Sequence, residues 1–63
     1  MLKLKDISVG DIITDENGFY KVLNVYENSA SVIEVEPDEN DNFKPVAYEW
    51  EKTRSEIGKC TKI

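Results

Sequence analysis

No segment of this chain carries ten or more residues with the 3.6-residue apolar period of an amphipathic helix. Its apolar residues fall instead in short runs that turn-forming residues separate. The clearest case is the run Val9–Thr14, which the cluster Asp15–Gly18 follows. The Asn-Gly pair in that cluster supplies the positive φ angles of tight turns, so the segment predicts a strand and then a reversal. The overall pattern predicts an all-β fold.

A hairpin is predicted from two further runs, Phe19–Glu27 and Ala30–Glu36, which meet across Asn28-Ser29. A two-residue loop there would make facing pairs of Tyr26 with Ser31, Asn24 with Ile33, and Val22 with Val35. One face then collects the apolar residues Tyr20, Val22, Tyr26, Ile33 and Val35, and the other collects Leu23, Val25 and Val32. A bend or bulge would bury residues of both faces, and without one the second set would mark an association surface.

The third informative stretch begins after the polar loop 37–42. Pro45 cannot donate a ladder hydrogen bond, so we expect the next strand to start at an edge or a bulge. Val46, Tyr48 and Trp50 then recur with a period of two, which predicts a strand whose aromatic face lies in the core.

The C-terminal end predicts one helical turn at Ser55–Gly58, with serine as the cap and glycine as the stop, and then a last short strand at Lys59–Ile63. In the order of these elements, nearly the whole chain resembles the SH3-like small β-barrel superfamily. That resemblance implies a single domain over residues 1–63, a five-stranded barrel with one short helical turn before the last strand. It also implies a binding module, most often for proteins.

Composition excludes several chemistries for the 63 residues. The chain has no histidine, so serine and cysteine triads are excluded, and its one cysteine, Cys60, excludes an internal disulfide and argues against structural zinc. We therefore expect no enzyme, metal or cofactor, and we expect Cys60 to be a packed apolar side chain. No run approaches the roughly 18 apolar residues of a membrane span, and Met1–Asp6 lacks a signal-peptide core. These features predict a cytoplasmic protein.

The net charge of −5 is unevenly spread, because residues 34–51 carry seven acids against Lys44 alone. An acidic surface does not favour direct nucleic-acid binding. The acids are candidate partner-binding residues: Glu34, Glu36, Asp38, Glu39, Asp41, Glu49 and Glu51. The simpler interpretation of this charge run is a solvated surface that keeps the protein soluble.

Three functional hypotheses remain open from the sequence. The first is a non-catalytic protein-interaction module, which binds another protein or itself as a homo-oligomer. Its candidate apolar contact residues are Leu23, Val25, Val32, Tyr20 and Tyr26. The second is an acidic decoy of the kind found in small phage proteins, which would bind a basic surface of a host protein through the seven acids. The third is a small-molecule site at an oligomer interface.

Overall fold

One antiparallel sheet of five strands organises the chain in a computed structural model that describes residues 1–40 and 42–63. The strands are β1 (Ile12–Asp15), β2 (Gly18–Val25), β3 (Ser29–Pro37), β4 (Phe43–Thr53) and β5 (Thr61–Lys62). A 3-10 turn at Leu4–Asp6 precedes them, and a short helix, α1 (Arg54–Ile57), separates β4 from β5. The spatial order is β4-β3-β2-β1-β5, which confirms the all-β class.

The sheet is open, so the expected barrel closure is wrong. β4 and β5 stand at opposite ends of the sheet order, whereas a barrel needs its two end strands to pair. β5 has only two residues, and both pair with β1, as Thr61 with Thr14 and Lys62 with Ile13. The core face is covered by α1 instead, since Ile57 is fully buried.

The helical turn lies where the sequence predicts one, but its cap lies two residues earlier. Thr53 is its cap: the Thr53 hydroxyl accepts a hydrogen bond from the Glu56 backbone N–H, and the Glu56 carboxylate accepts one from the Thr53 N–H. This reciprocal capping box satisfies two N–H groups that the helix start would otherwise leave unpaired. Ser55 is therefore a residue within the helix and not its cap.

The β1–β2 turn confirms the prediction made from Asn17-Gly18. Asp15 pairs with Gly18, and Oδ1 of Asp15 accepts a hydrogen bond of 2.8 Å from the Asn17 N–H. Gly18 has a φ of 153°, a value that residues with a side chain rarely adopt.

The predicted register of the β2–β3 hairpin is wrong, because its loop lies one residue earlier. The Tyr26 N–H donates to the Ser29 carbonyl at 2.8 Å, which leaves Glu27-Asn28 as the two loop residues. The observed pairs are Val25 with Ala30, Asn24 with Ser31, and Val22 with Val32. Arg54 contacts this loop: its guanidinium donates to the Asn28 side chain at 2.7 Å and to the Glu27 carbonyl at 3.2 Å.

A β-bulge at Leu23 makes this hairpin irregular, which is the first of the two alternatives that the sequence left open. The register shifts between Val22 and Asn24, so Leu23 is the extra residue on β2. Val22 and Val25 would point to opposite faces of a regular strand, but the bulge pairs them with Val32 and Ala30 on one face. Val32 is consequently part of the core.

The main core cluster lies on one side of the sheet, whereas the buried Val35 pairs with Phe19 on the other side. The N-terminal segment contributes Leu4 and Ile7, which cover the strands together with α1. The buried cluster consists of Leu4, Ile7, Ile13, Tyr20, Val22, Ala30, Val32, Ile57 and Cys60. Burial of Cys60 confirms that it is a packed side chain.

β4 differs most from expectation, because its aromatic residues are not buried in the core. Tyr48 is 83% exposed, Val46 46% and Trp50 40%. Between Pro45 and Glu49 the strand has two more residues than the facing stretch of β3, so its pairing with β3 is interrupted there. Further along, the buried position opposite Ala30 is occupied by Lys52. The expected edge or bulge near Pro45 is confirmed.

Candidate functional site

The most distinctive surface lies along the unpaired edge of β4. β4 is an end strand, so one row of its backbone N–H and C=O groups has no neighbouring strand among residues 1–40 and 42–63. We define the β4 surface as this backbone row with the exposed side chains of Val46, Tyr48, Glu49, Trp50 and Glu51. An end strand of this length with exposed aromatic residues is a template for adding another strand.

Trp50 is the best-positioned side chain of the β4 surface. It pairs with the buried Val32, and its ring lies 6.0 Å from the Tyr20 ring at an angle of 59°. Tyr20 belongs to the core, so it gives the indole a fixed support. Trp50 is therefore half-exposed on an ordered base, which is the arrangement of an interface anchor.

Tyr20 is in turn packed beneath a buried cation. The Lys52 Nζ lies 4.1 Å from the centre of the Tyr20 ring and 3.5 Å from Oδ2 of Asp15. Desolvation raises the pKa of Tyr20, and the negative charges of Asp15 and Glu34 raise that pKa further. Tyr20 therefore remains a neutral phenol, and its ring is held between Trp50 and Lys52.

A surface cavity of about 430 Å³ opens beside this cluster. Its lining mixes both signs of charge: Asp15, Glu16, Asn17, Lys52, Glu56 and Lys59. Three carboxylates and two lysines therefore face one another across it.

The two sides of β4 differ in chemistry. Directly opposed residues of an antiparallel pair project to the same side of a sheet, so Trp50 shares the core side with Val32. Glu49 and Glu51 are opposite Ile33 and Ser31, on the other side. Oε2 of Glu51 accepts a hydrogen bond of 2.7 Å from the Ser29 hydroxyl, and neither carboxylate makes an ion pair within the part of the chain that the structure describes.

The structure disperses the predicted apolar contact residues. Val32 and Tyr20 are buried, which corrects their assignment to an accessible surface: Val32 pairs with the buried Val22 on the core face. Leu23 is partly buried, whereas Val25 and Tyr26 are exposed near the β2–β3 turn. These five residues do not form one patch. Contact of Leu23, Val25 and Tyr26 with a partner stays a prediction.

The seven acids are also divided. Glu34 pairs with Tyr20 on the core side, whereas Glu49 and Glu51 project from the opposite side. Oδ1 of Asp38 accepts hydrogen bonds from the N–H groups of Asn40 and Asn42, so this residue shapes the hairpin turn. Glu36 and Glu39 are exposed, and Asp41 lies outside the described residues.

Sequence reasoning missed the exposure of β4 and the burial of Lys52. A period of two is the same for a core-facing and a solvent-facing strand, so the sequence held no signal for the first. The second had a weak signal, because Lys52 continues the alternation of Val46, Tyr48 and Trp50 by one more step.

Two further findings concern metal binding and membrane insertion. Among residues 1–40 and 42–63, no three histidine, cysteine, aspartate or glutamate side chains converge as a metal ion would require. No helix in the described part of the chain has the length and apolar character needed to cross a membrane.

Family models, curated proteins and solved structures all give no match to this chain. The resemblance to SH3-like barrels therefore stays a prediction.

Proposed function

We propose that this protein is a non-catalytic protein-binding module that recognises an extended polypeptide segment through the β4 surface. The observation that carries the proposal is the combination of an end strand with a half-exposed Trp50 fixed on the buried Tyr20 ring. Backbone hydrogen bonds along a sheet edge supply affinity for any extended segment, and side chains beside the edge supply selectivity.

The anchoring of Trp50 supports recognition over a purely solvated role. Binding costs conformational entropy for each side chain that must be ordered, and an indole already packed on Tyr20 loses little. Tyr48 adds a large exposed ring two residues away, so truncating it changes the surface without opening the core.

The acidic-decoy hypothesis receives less support. A nucleic-acid mimic needs its charges on one continuous surface, but the register places Glu34 and Glu49 on opposite sides of the sheet. A basic partner could contact only part of the acidic set at one time.

A neutral strand-forming peptide tests the proposal. We would titrate a capped peptide of alternating threonine and valine, about seven residues long, into ¹⁵N-labelled protein and follow backbone amide shifts. The expected result is that the largest shifts fall in β4, and that N-methylation of alternate peptide bonds in the probe abolishes them.

Paired variants complete the test. Tyr48→Ala and Trp50→Ala should each weaken peptide binding by about 1 kcal/mol or more, whereas Tyr26→Ala, an exposed tyrosine at the β2–β3 turn, should change it little. Shifts centred on the β2–β3 turn, or no response to the peptide, would contradict binding at β4.

A further inference from the structure

We propose that the segment recognised at the β4 surface alternates apolar and basic side chains, with the apolar ones beside Trp50 and the basic ones beside Glu49 and Glu51. This inference rests on the proposed function, because it specifies the chemistry of the strand that β4 would receive.

The geometry of strand addition determines which side chains of the added segment lie on each side of the sheet. A strand added to β4 would place alternate side chains on the two sides of the sheet, as β3 does. Those on the core side would lie next to the Trp50 ring, where apolar groups are favoured. Those on the other side would lie about 5 Å from Glu49 and Glu51, within reach of a direct pair.

The negative charges of Glu49 and Glu51 favour basic side chains in the added segment. Glu49 and Glu51 are two positions apart on one side of the strand, and neither makes an ion pair within residues 1–40 and 42–63. Opposite charges across neighbouring strands stabilise their pairing, and like charges destabilise it. The net charge of −5 adds a long-range attraction for a basic segment.

The same charges disfavour a second copy of this chain as the occupant. If two β4 strands paired in antiparallel fashion about Trp50, Glu49 of each copy would stand opposite Glu51 of the other. Two such pairs of like charges would oppose association of molecules that each already carry −5. A separate segment that alternates apolar and basic side chains would match the Trp50 ring on one side of the strand and the two carboxylates on the other.

Three capped peptides of equal length test the inference, with valine alternating with lysine, with threonine or with glutamate. Trp50 is the only tryptophan of the chain, so its fluorescence reports binding of probes that contain none. At about 20 mM salt we expect the lysine peptide to bind at least about tenfold tighter than the threonine peptide, and the glutamate peptide to bind weakest. At about 500 mM salt the preference should fall to about threefold or less.

A double variant assigns the preference to the two carboxylates. Glu49→Gln with Glu51→Gln should weaken the lysine peptide about fivefold and leave the threonine peptide unchanged. The matched control, Glu16→Gln with Glu39→Gln, makes the same change in net charge at exposed positions outside the strands and should alter binding less than about twofold.

The outcomes separate the two proposals. If all three peptides bind equally and N-methylation abolishes binding, strand addition stands and the basic preference is overturned. If the glutamine variant keeps the preference, the assignment to Glu49 and Glu51 is overturned. If no peptide binds, the proposed function itself fails. Micromolar dimerisation that Tyr48→Ala abolishes would assign the β4 surface to a second copy and overturn the inference.

Discussion

The Lys52 ammonium lies 4.1 Å from the centre of the Tyr20 ring, on the core side of the sheet. The lysine is 6% exposed and occupies the position opposite Ala30 where an aliphatic residue is ordinarily found. Its charge is compensated by Asp15 at 3.5 Å and by the aromatic face. Because Tyr20 also supports Trp50, this cation connects the stability of the core to the shape of the β4 surface.

Replacing Lys52 tests that relationship. We expect Lys52→Met to cost about 2 kcal/mol of unfolding free energy, because Asp15 then lacks its cation in a largely buried position. Lys52→Met combined with Asp15→Asn should recover most of the loss, since a neutral amide can still accept the Asn17 N–H. Urea unfolding followed by Trp50 fluorescence measures both, and a double variant as unstable as the single one would contradict this account.

Burial predicts different costs for two valines of the hairpin. Val32→Ala should lower the unfolding free energy by about 2 kcal/mol, because the side chain is fully buried and leaves a cavity. Val25→Ala should cost less than about 0.5 kcal/mol, because Val25 is at the surface. Equal costs in thermal or urea unfolding would contradict the difference in burial between Val32 and Val25.

The capping box predicts a local effect at α1. Thr53→Ala removes the oxygen that accepts the Glu56 N–H and should cost about 1 kcal/mol, whereas Thr53→Ser should be close to the parent protein. Hydrogen exchange of the α1 amides measures the change directly. Protection left intact in Thr53→Ala would mean that the packing of Ile57 alone holds the helix.

The lowered pKa of Glu56 predicts that the stability of the fold depends on pH. The Thr53 N–H donates to its carboxylate at 2.9 Å, and this bond is the main reason that its pKa is below the ordinary value of 4.5. A carboxyl group with a lower pKa in the folded state contributes stability that is complete above the unfolded pKa. That contribution is lost as pH falls through the folded pKa.

The stability difference between the parent protein and Glu56→Ala should therefore shrink as pH falls from about 6 to about 3. Urea unfolding at several pH values measures it. Glu39→Ala serves as the control, because Glu39 is exposed in the hairpin turn. A difference between parent and Glu56→Ala that stays constant with pH would show that the carboxylate does not act through its charge.

The burial of Cys60 predicts that its thiol is alkylated slowly in the folded protein. Burial is the main cause that raises the pKa of its thiol, and alkylation requires an accessible thiolate. At about pH 8, labelling by iodoacetamide should be at least about tenfold slower in the folded protein than in urea. Rates that are equal in the two conditions would show that the C-terminal segment is open in solution.

Local signals were sufficient for some elements. Asn17-Gly18 predicted the β1–β2 turn because the residues that allow positive φ are few. Gly58 was correctly placed directly after the helical turn, although it adopts right-handed helical angles. The capping residue was misplaced because Ser55 and Thr53 are both good caps, and only the partner at Glu56 distinguishes them.

The candidate site could not be predicted in the same way. Its position depends on β4 being an end strand and on two extra residues between Pro45 and Glu49, and both are properties of pairing between distant segments. The sequence did contain Trp50, Tyr48 and the acids around them. Which of these share a side of the sheet is a question of register.

From the sequence alone come the all-β class, the β1–β2 turn and the lack of histidine and of a second cysteine in these 63 residues, because these depend on residue types and short-range geometry. The tertiary structure decided the register, the open sheet and the face that each side chain occupies. The physical reason is that side chains alternate along a strand, so a small shift in pairing can exchange buried and exposed positions. Here Arg54, the first residue of α1, donates hydrogen bonds to the Glu27-Asn28 loop, a contact between segments that lie far apart in the sequence.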